Sequence, residues 1–169
     1  MATTHRDEAD RARHTWGDFE AGAPDLAVAA REQFERYGMA LVGTLRKDGS
    51  PRISCVEPCI VDGGLYLGMM WRSRKAVDLL RDPRLVLHNA ICTNRGDELE
   101  VSIHGRAVEV HDSEVRRTCA DALERTSWND SPFHLFEIEI DSVGLIKYDH
   151  GEQLVKVWPR GTEIRRPYG

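Results

Sequence analysis

The segment Met39–Trp71, MALVGTLRKDGSPRISCVEPCIVDGGLYLGMMW, determines the fold class of this protein. Residues 48–49 are Asp-Gly, a strong signal for a tight hairpin turn, and a second turn signal, Asp-Gly-Gly, lies at 62–64. The stretches beside these turns are short and rich in apolar and β-branched residues, which is typical of strands. Three strands joined by such short turns are expected to form an antiparallel meander.

Further strands are predicted downstream of the meander, and helices before, between and after them. The strand segments are RLVLHNAIC (84–92), ELEVSIHGRAVEVH (98–111), FHLFEIEIDSVGLIKY (133–148) and QLVKVWP (153–159), and the helical segments are 24–37, 74–81 and 112–128. Strands that arrive as hairpins exclude a doubly wound parallel sheet. We therefore expect a mainly β protein with short helices (α+β), an antiparallel six- to seven-stranded split β-barrel.

The chain is expected to form one barrel domain with two short appendages. Residues 1–22 are assigned to an N-terminal arm, 23–159 to the barrel and 160–169 to a C-terminal tail. In the first helix Pro24 suits the first turn and Gly38 suits the C-terminal cap. Apolar residues recur at helical spacing and are expected to face the core: Leu26, Ala30, Phe34 and Tyr37.

Charge and hydropathy exclude two classes of function. The 23 Lys and Arg against 28 Asp and Glu give a net charge of −5, with no sustained basic run, so nucleic-acid binding is not expected. No apolar run is long enough for a membrane helix, and the N-terminus lacks the apolar core of a signal peptide. We expect a cytoplasmic protein without membrane contact.

The cysteines and histidines do not form a recognisable metal-binding pattern. Cys55, Cys59, Cys92 and Cys119 include no CxxC pair. Cys55 and Cys59 could share a metal or a disulfide, but buried free thiols in strands are the favoured interpretation. The seven histidines show no HExxH or other ligand spacing, so no metal site is expected.

The helix that begins after Ser73 contains a local conflict. Its first turn carries Arg74 and Lys75, although the N-terminal end of a helix has free N–H groups and a partial positive charge. A bound phosphate resolves the conflict, because the amides and Ser73 can donate to it and both cations can form charge-assisted bonds. The alternative is that both side chains simply extend into water.

The sequence also resembles a known superfamily. The order GTLRKDGSPRISCVEP (43–58), DGGLYLGMMWRSRKAVDLLRDPRLVLH (62–88) and ELEVSIHGRAVEV (98–110) is similar to the pyridoxamine 5′-phosphate oxidase-like, flavin-binding split-barrel superfamily. The most specific element is SRK (73–75), which opens a short helix that ends in DPR (82–84), after a strand that contains PRIS (51–54). The resemblance covers residues 34–110 well and the C-terminal strands more loosely.

This resemblance implies that FMN is the cofactor and that Ser73, Arg74 and Lys75 hold its phosphate. Glu100 falls about where the family oxidase has a ring-contacting glutamine, although it also reads as a surface carboxylate. The remaining residues implied to contact the flavin are Arg52, Ile53, Ser54 and Cys55 on one strand, Met69 and Met70 on another, and Trp158 and Arg165 near the C-terminus. Alternatively, Trp158 is a core or interface aromatic and Arg165 is a solvated charge of the tail.

The function implied is an FMN-dependent oxidoreductase acting on a small-molecule substrate. The flavin supplies the chemistry in such a site, so no catalytic residue is assigned, and His88 and His104 are either proton donors or structural. Pyridoxamine phosphate is not the expected substrate, because the family's RLHDR-type segment is absent. Two alternatives stay open: a deazaflavin coenzyme on the same fold, and a non-catalytic module that binds flavin or haem.

A homodimer with the flavin site at its interface is also expected. The sheet edges need covering, and Trp16 and Phe19 in the arm are taken to lack a core of their own. Arg52 is expected to face the flavin rather than solvent, because the other residues of its strand alternate only loosely, with Ile53, Cys55 and Ile60 taken as buried.

Overall fold

The computed structural model describes residues 13–91, 95, 98–125, 128, 131–149 and 151–167. The helices are α1 (Trp16–Gly22), α2 (Pro24–Tyr37), α3 (Arg74–Arg81) and α4 (Ser113–Ala122). The strands are β1 (Ala40–Leu45), β2 (Pro51–Val56), β3 (Pro58–Val61), β4 (Gly64–Met70), β5 (Arg84–Asn89), β6 (Leu99–Glu109), β7 (Phe133–Asp149), β8 (Glu152–Trp158) and β9 (Thr162–Pro167).

The strands form one antiparallel sheet in the order β2-β1-β5-β6-β7-β4-β3, with β8 and β9 continuing from β7. The 17-residue β7 pairs with β6 along most of its length, with β4 over its first part and with β8 over its second part. The end strands β2 and β3 adjoin in the chain, so the sheet curls back on itself. The predicted fold class, a mainly β antiparallel split barrel with short helices, is confirmed.

The described residues contain nine strands, more than the six or seven expected, for two local reasons. The segment 52–61 was expected to be one strand, but it divides into β2 and β3 at Glu57, immediately before Pro58, which cannot donate a ladder hydrogen bond. The expected tail contributes β9, which pairs with β8 over residues 162–167.

Helix α2 has the ends that its sequence predicts. Pro24 occupies the first turn, and Gly38 ends the helix in the left-handed conformation with φ 62°. Ala30 and Phe34 are buried as expected, whereas Leu26 and Tyr37 are only half-buried. No helix among the described residues is both long and apolar enough to cross a lipid bilayer.

The expectation that Trp16 and Phe19 lack a core is wrong. Both side chains are 0% exposed and pack in the main hydrophobic cluster of the barrel, where Phe19 lies 5.2 Å from the Trp158 ring. Thr15 begins α1 with a capping box to Asp18. Just before it, the backbone of His14 bonds to that of Ile140 in both directions, at 3.1 and 2.7 Å, which fixes the helix on β7.

The burial expected for β2 is also wrong at two positions. Ile53 is 73% exposed and Cys55 is exposed, whereas Arg52 and Ser54 are half-buried. The register explains this, because Arg52, Ser54 and Val56 lie opposite the inward-facing residues of β1. The expectation of buried thiols in strands is confirmed for Cys59 and wrong for Cys55. Cys119 is buried on α4, and Cys92 lies outside the described residues.

Truncating Phe19 tests whether α1 belongs to the barrel. We expect Phe19→Ala to lower the free energy of unfolding by about 3–5 kcal/mol, because a fully buried ring is lost and a cavity is left. Urea denaturation of the wild type and the variant measures this. Val28→Ala, on the exposed side of α2, is the control and should change the value by less than about 0.5 kcal/mol. A Phe19→Ala effect as small as the control would mean that the segment is a dispensable arm.

Candidate functional site

A cleft of about 340 Å³ opens where β2, β4 and the start of α3 meet, and the chain after α4 forms its outer wall. Its volume lies within the range of pockets that hold small cofactors. The strand side is largely apolar, and the helix side carries charge. The lining residues are Met39, Cys55, Val56, Glu57, Gly68, Met69, Met70, Lys75, Arg125 and Trp128.

The apolar wall is built from β4 and an indole ring. A side chain at position 68 would place its Cβ 2.1 Å from the Trp128 ring, so only glycine lets the indole lie against the strand. Trp128 also stacks on Phe133, with ring centroids 4.6 Å apart. Met69 is buried, whereas Met70 at the end of the strand is 71% exposed. Thioether and aromatic groups of this kind suit contact with a flat ring system.

The start of α3 lies at the other side of the cleft and is left without the usual cap. Ser73 occupies the N-cap position, but its side chain makes no capping hydrogen bond. Its Oγ is buried and has no hydrogen-bond partner among the described residues. The first turn contains no acidic residue, so the free amides face only cations. A buried polar atom without a partner is costly, and a bound anion would satisfy it.

Lys75 is held at the edge of the cleft by the neighbouring strand. Its Nζ donates a hydrogen bond of 2.6 Å to the backbone carbonyl of Cys55. This bond ties α3 to β2 and fixes the position of the ammonium group. The ammonium carries three donors, so it can still donate to a ligand.

Arg74 faces a second cavity, of about 530 Å³, on the other side of the helix start. Arg52 lines the same cavity, so the structure places it beside Arg74 and not among the residues of the cleft. The complete lining is Arg46, Lys47, Asp48, Arg52, Arg74, Asp78 and Arg81. Five cations and two carboxylates leave this cavity with an excess of positive charge.

Asp78 anchors the helix to the strands beneath it. Its Oδ2 accepts hydrogen bonds from Arg52 Nε at 2.6 Å and from Thr44 Oγ1 at 3.1 Å, and its Oδ1 lies 3.4 Å from Arg81 Nη1. Burial by itself raises the pKa of Asp78, but the bonds from Arg52 and Thr44 and the nearby charges outweigh it. The pKa therefore lies below its ordinary value of 3.8, and the carboxylate stays ionised.

An ion pair closes the mouth of the cleft. Arg125 Nε donates to Glu57 Oε2 at 3.0 Å, and Nη2 contacts the other carboxylate oxygen. The hydrogen bond to Glu57 and its negative charge raise the pKa of Arg125. Glu57 stands at the break between β2 and β3, so the irregularity of the sheet supplies this contact.

Of the residues implied by the resemblance, Cys55, Met69, Met70 and Lys75 line this cleft. Ile53 and Ser54 on β2 are not among its lining residues, and Glu100, Trp158 and Arg165 lie on other elements. Glu100 is on β6, with Oε2 4.0 Å from His88 Nε2. Trp158 packs against α1 in the core, where a Cβ at Gly22 would lie 2.7 Å from its Nε1. Arg165 on β9 lies 3.4 Å from Glu163 and lines a different cavity with Lys147 and residues of β8.

The two candidate proton donors also lie outside the cleft. His88 on β5 is half-buried, and its Nδ1 lies 2.7 Å from the carbonyl of Asn89. His104 on β6 is exposed and stands opposite Val86.

Among the residues that the structure describes, no group of three or more His, Cys, Asp or Glu could hold a metal ion.

Sequence reasoning missed six residues of the cleft, which are Met39, Val56, Glu57, Gly68, Arg125 and Trp128. A glycine inside a strand marks close approach by another group, so Gly68 carried a readable signal. Arg125 and Trp128 follow α4 in a polar segment without periodicity, and their position depends on tertiary packing. For Glu57 the signal was Pro58, because a proline inside a strand indicates a break in the strand at that point.

The antiparallel sheet, with an apolar cleft beside an uncapped, cationic helix start, defines the protein as a split barrel with a candidate cofactor site. The family model for pyridoxamine 5′-phosphate oxidase matches residues 26–147. This match covers more than half of the chain, and the protein belongs to the pyridoxamine 5′-phosphate oxidase family. A comparison with curated protein sequences finds no match.

Solved structures share the fold at low sequence identity. A conserved hypothetical protein from Mycobacterium tuberculosis is 21% identical, with TM-score 0.60 over 72% of this chain and 84% of that one. A FAD-binding protein from Mesorhizobium loti is 20% identical, with TM-score 0.56 over 70% and 90%. HutZ, a haem storage protein from Vibrio cholerae, is 18% identical, with TM-score 0.58 over 75% and 94%.

Neutralising Asp78 tests whether this carboxylate anchors the site. We expect Asp78→Asn to lower the free energy of unfolding at pH 7 by about 3 kcal/mol, because Arg52 loses its buried partner. The folded pKa lies below 3.8, so the contribution of Asp78 is complete above that pH and is lost as the pH falls through the folded pKa. The difference in unfolding free energy between the wild type and the variant should therefore be smaller at pH 3 than at pH 7.

Asp121→Asn is the matched control for this measurement, since Asp121 is exposed on α4. It should change the unfolding free energy by less than about 0.5 kcal/mol at either pH. If Asp78→Asn lowered the unfolding free energy by the same amount at pH 7 and pH 3, the ion-pair explanation would be contradicted.

Proposed function

We propose that the protein binds FMN in the cleft between β2, β4 and α3 and acts as a flavin-dependent oxidoreductase on a small molecule. The observation that carries the proposal is the start of α3, where the free amides adjoin two cations and a buried Ser73 hydroxyl that has no hydrogen-bond partner within the described part of the chain. A phosphate satisfies all of these groups together. The membership of the family and the FAD-binding description of one structural relative support a flavin as the cofactor.

The cleft and the adjoining start of α3 together fit both ends of such a cofactor. Ser73, Arg74 and Lys75 would hold the phosphate, and Met69, Met70 and Trp128 would contact the ring. Bound FMN supplies hydride and electron transfer. The chain's own groups bind and orient it: the bond from Lys75 to Cys55 fixes the ammonium, and the Trp128–Gly68 contact fixes the indole. Pre-organised groups bind a ligand with less loss of side-chain entropy.

The identity of the cofactor is tested by its spectrum and mass after release from the purified protein by heat. The proposal expects FMN. A deazaflavin coenzyme would keep the fold and change the chemistry, and haem would favour a storage or sensing module of the kind that HutZ represents. Steady-state turnover with a nicotinamide donor separates an enzyme from a module, because a module binds flavin without turnover.

A homodimer is part of this proposal. The outer face of β1 and β2 carries Leu41 (37% exposed), Ile53 (73% exposed) and the exposed Cys55, and it continues onto His88 of β5. This face is uncharged in a chain in which 30% of residues are charged. Cys55 also lines the cleft, so a second copy of the chain on this face would lie beside the cofactor. Cytoplasmic location remains our expectation.

Replacing Lys75 tests the phosphate assignment. We expect Lys75→Ala to weaken FMN binding by about 1.5–3 kcal/mol, the loss of one charge-assisted bond, which is roughly a ten- to hundredfold change in affinity. Riboflavin has the same ring without the phosphate, and its affinity should change much less. Titration of both ligands into the apoprotein, followed by flavin fluorescence, measures the difference.

Lys156→Ala, on β8 and paired with Glu163, is the control and should leave both affinities unchanged. Equal losses for FMN and riboflavin would place Lys75 at the ring or in the fold. No loss for either ligand would mean that Lys75 points into solvent.

A charge on the outer face tests the assembly. We expect the wild type to sediment as a dimer at micromolar concentration and Leu41→Lys to sediment as a monomer with weakened FMN binding. The control, Ile164→Lys, changes an apolar residue on β9 that is 49% exposed and should remain a dimer. A wild-type monomer with FMN bound would refute the proposed interface.

A further inference from the structure

Two thiols that are distant in the sequence meet beneath α4. Cys59 lies on β3 and Cys119 on α4, and their exposures are 4% and 0%. They belong to one small hydrophobic cluster, separate from the main core, that also contains Tyr66, Phe133 and Leu135. Both thiols lie in this cluster, and their side chains interact with each other.

The contacts of α4 hold the two thiols together from both ends. At the start of the helix, Asp112 caps the backbone amides of Glu114 and Val115. Arg116 donates to the carbonyl of Phe133 at 2.8 Å and to that of Val110 at 3.1 Å, which fixes the helix on the sheet. Beyond the end of the helix, the Arg125–Glu57 ion pair joins it to the residue just before β3. The pair of thiols is thus a fixed feature of the fold.

The two sulfur atoms are not equivalent. The hydrogen bond from Cys119 lowers the pKa of the Cys59 thiol, and this effect outweighs the burial that raises it. The hydrogen bond to Cys59, together with burial, raises the pKa of the Cys119 thiol. Because the thiolate is the reactive form, Cys59 is the sulfur that reacts first.

We propose that Cys59 and Cys119 are a peroxide-sensitive pair that forms an intramolecular disulfide and thereby locks α4 onto β3. The Cys59 thiolate attacks one oxygen of hydrogen peroxide, and the O–O bond breaks to give a sulfenic acid and, after protonation, one water. The Cys119 thiol then attacks the Cys59 sulfur and displaces the second water. The two thiols lose two electrons in total, and peroxide is reduced to two waters.

The Cys59–Cys119 disulfide would lie next to the cleft, and its formation does not depend on which cofactor the cleft holds. Glu57 stands two positions before Cys59, and Arg125 follows the helix that carries Cys119. Cross-linking therefore joins the two elements whose ion pair closes the mouth of the cleft. Because both thiols are buried, the reaction requires local opening of α4, and it should be slower than oxidation of the exposed Cys55.

The test is oxidation of the full-length protein with hydrogen peroxide, followed by alkylation, digestion without reductant and mass spectrometry. We expect a peptide that joins Cys59 to Cys119, with a mass two hydrogens below the sum of its parts, and its disappearance after reduction. Cys55→Ser should form the same cross-link, because Cys55 is exposed and contributes no thiol to the pair. Cys119→Ser should leave Cys59 as a sulfenic acid that a dimedone-type probe traps.

The oxidised wild type should also melt at a higher temperature than the reduced one, since the cross-link closes a long chain segment in the unfolded state. Oxidised Cys55→Ser should show the same rise. Cross-links from Cys55 or Cys92, over-oxidation of Cys59 without a cross-link, or persistence of both reduced thiols after Cys55 is oxidised would each overturn the proposal. The wild-type mass map decides the question even where a variant fails to fold.

Discussion

The buried carboxylate of Asp78 is the contact on which the geometry of the candidate site depends. It accepts a bond from Thr44 on β1, another from Arg52 on β2, and lies close to Arg81 of its own helix. One negative charge therefore fixes α3 against two strands and also offsets the mutual repulsion of the arginines around it. Burying a charge is costly, and the cost is offset only where the partners are close and well oriented, as they are here.

Two of the other three helices carry a side-chain cap, and all three have an acidic residue in the first turn, which makes the start of α3 informative. Thr15 and Asp18 form a capping box on α1, and Asp112 accepts from two amides of α4. Helix α2 has no side-chain cap, but proline and Asp25 occupy its first turn. At α3 the cap residue Ser73 makes no capping bond, and cations replace the acidic residues that favour a helix start, so local stability is lower there. Departures of this kind are expected at functional sites.

Local signals predicted the elements, and tertiary contacts decided the rest. Gly38, the Asp48-Gly49 turn and the Ser73 cap position were readable because each acts through its own backbone. The burial of Trp16 could not be predicted, since an aromatic residue in a short polar segment can pack in the core of its own chain or against a partner with equal ease. The outward face of Ile53 depends on its register with β1, which alternation within β2 alone does not determine. The outer wall of the cleft comes from Trp128, whose position depends on packing against Gly68.

The separation of Arg74 and Lys75 onto two cavities limits the shape of the ligand. Adjacent residues of a helix point about 100° apart, which is why Lys75 lines the cleft and Arg74 lines the second cavity. What they share is the end of the helix axis, where the free amides lie. A compact anion at that point can be reached by both side chains, while Lys75 stays bonded to Cys55 and Arg74 stays beside Arg52. The apolar wall begins on one side only, along Met69 and Trp128. The site therefore favours an elongated ligand with a doubly charged group at one end and a flat apolar body at the other.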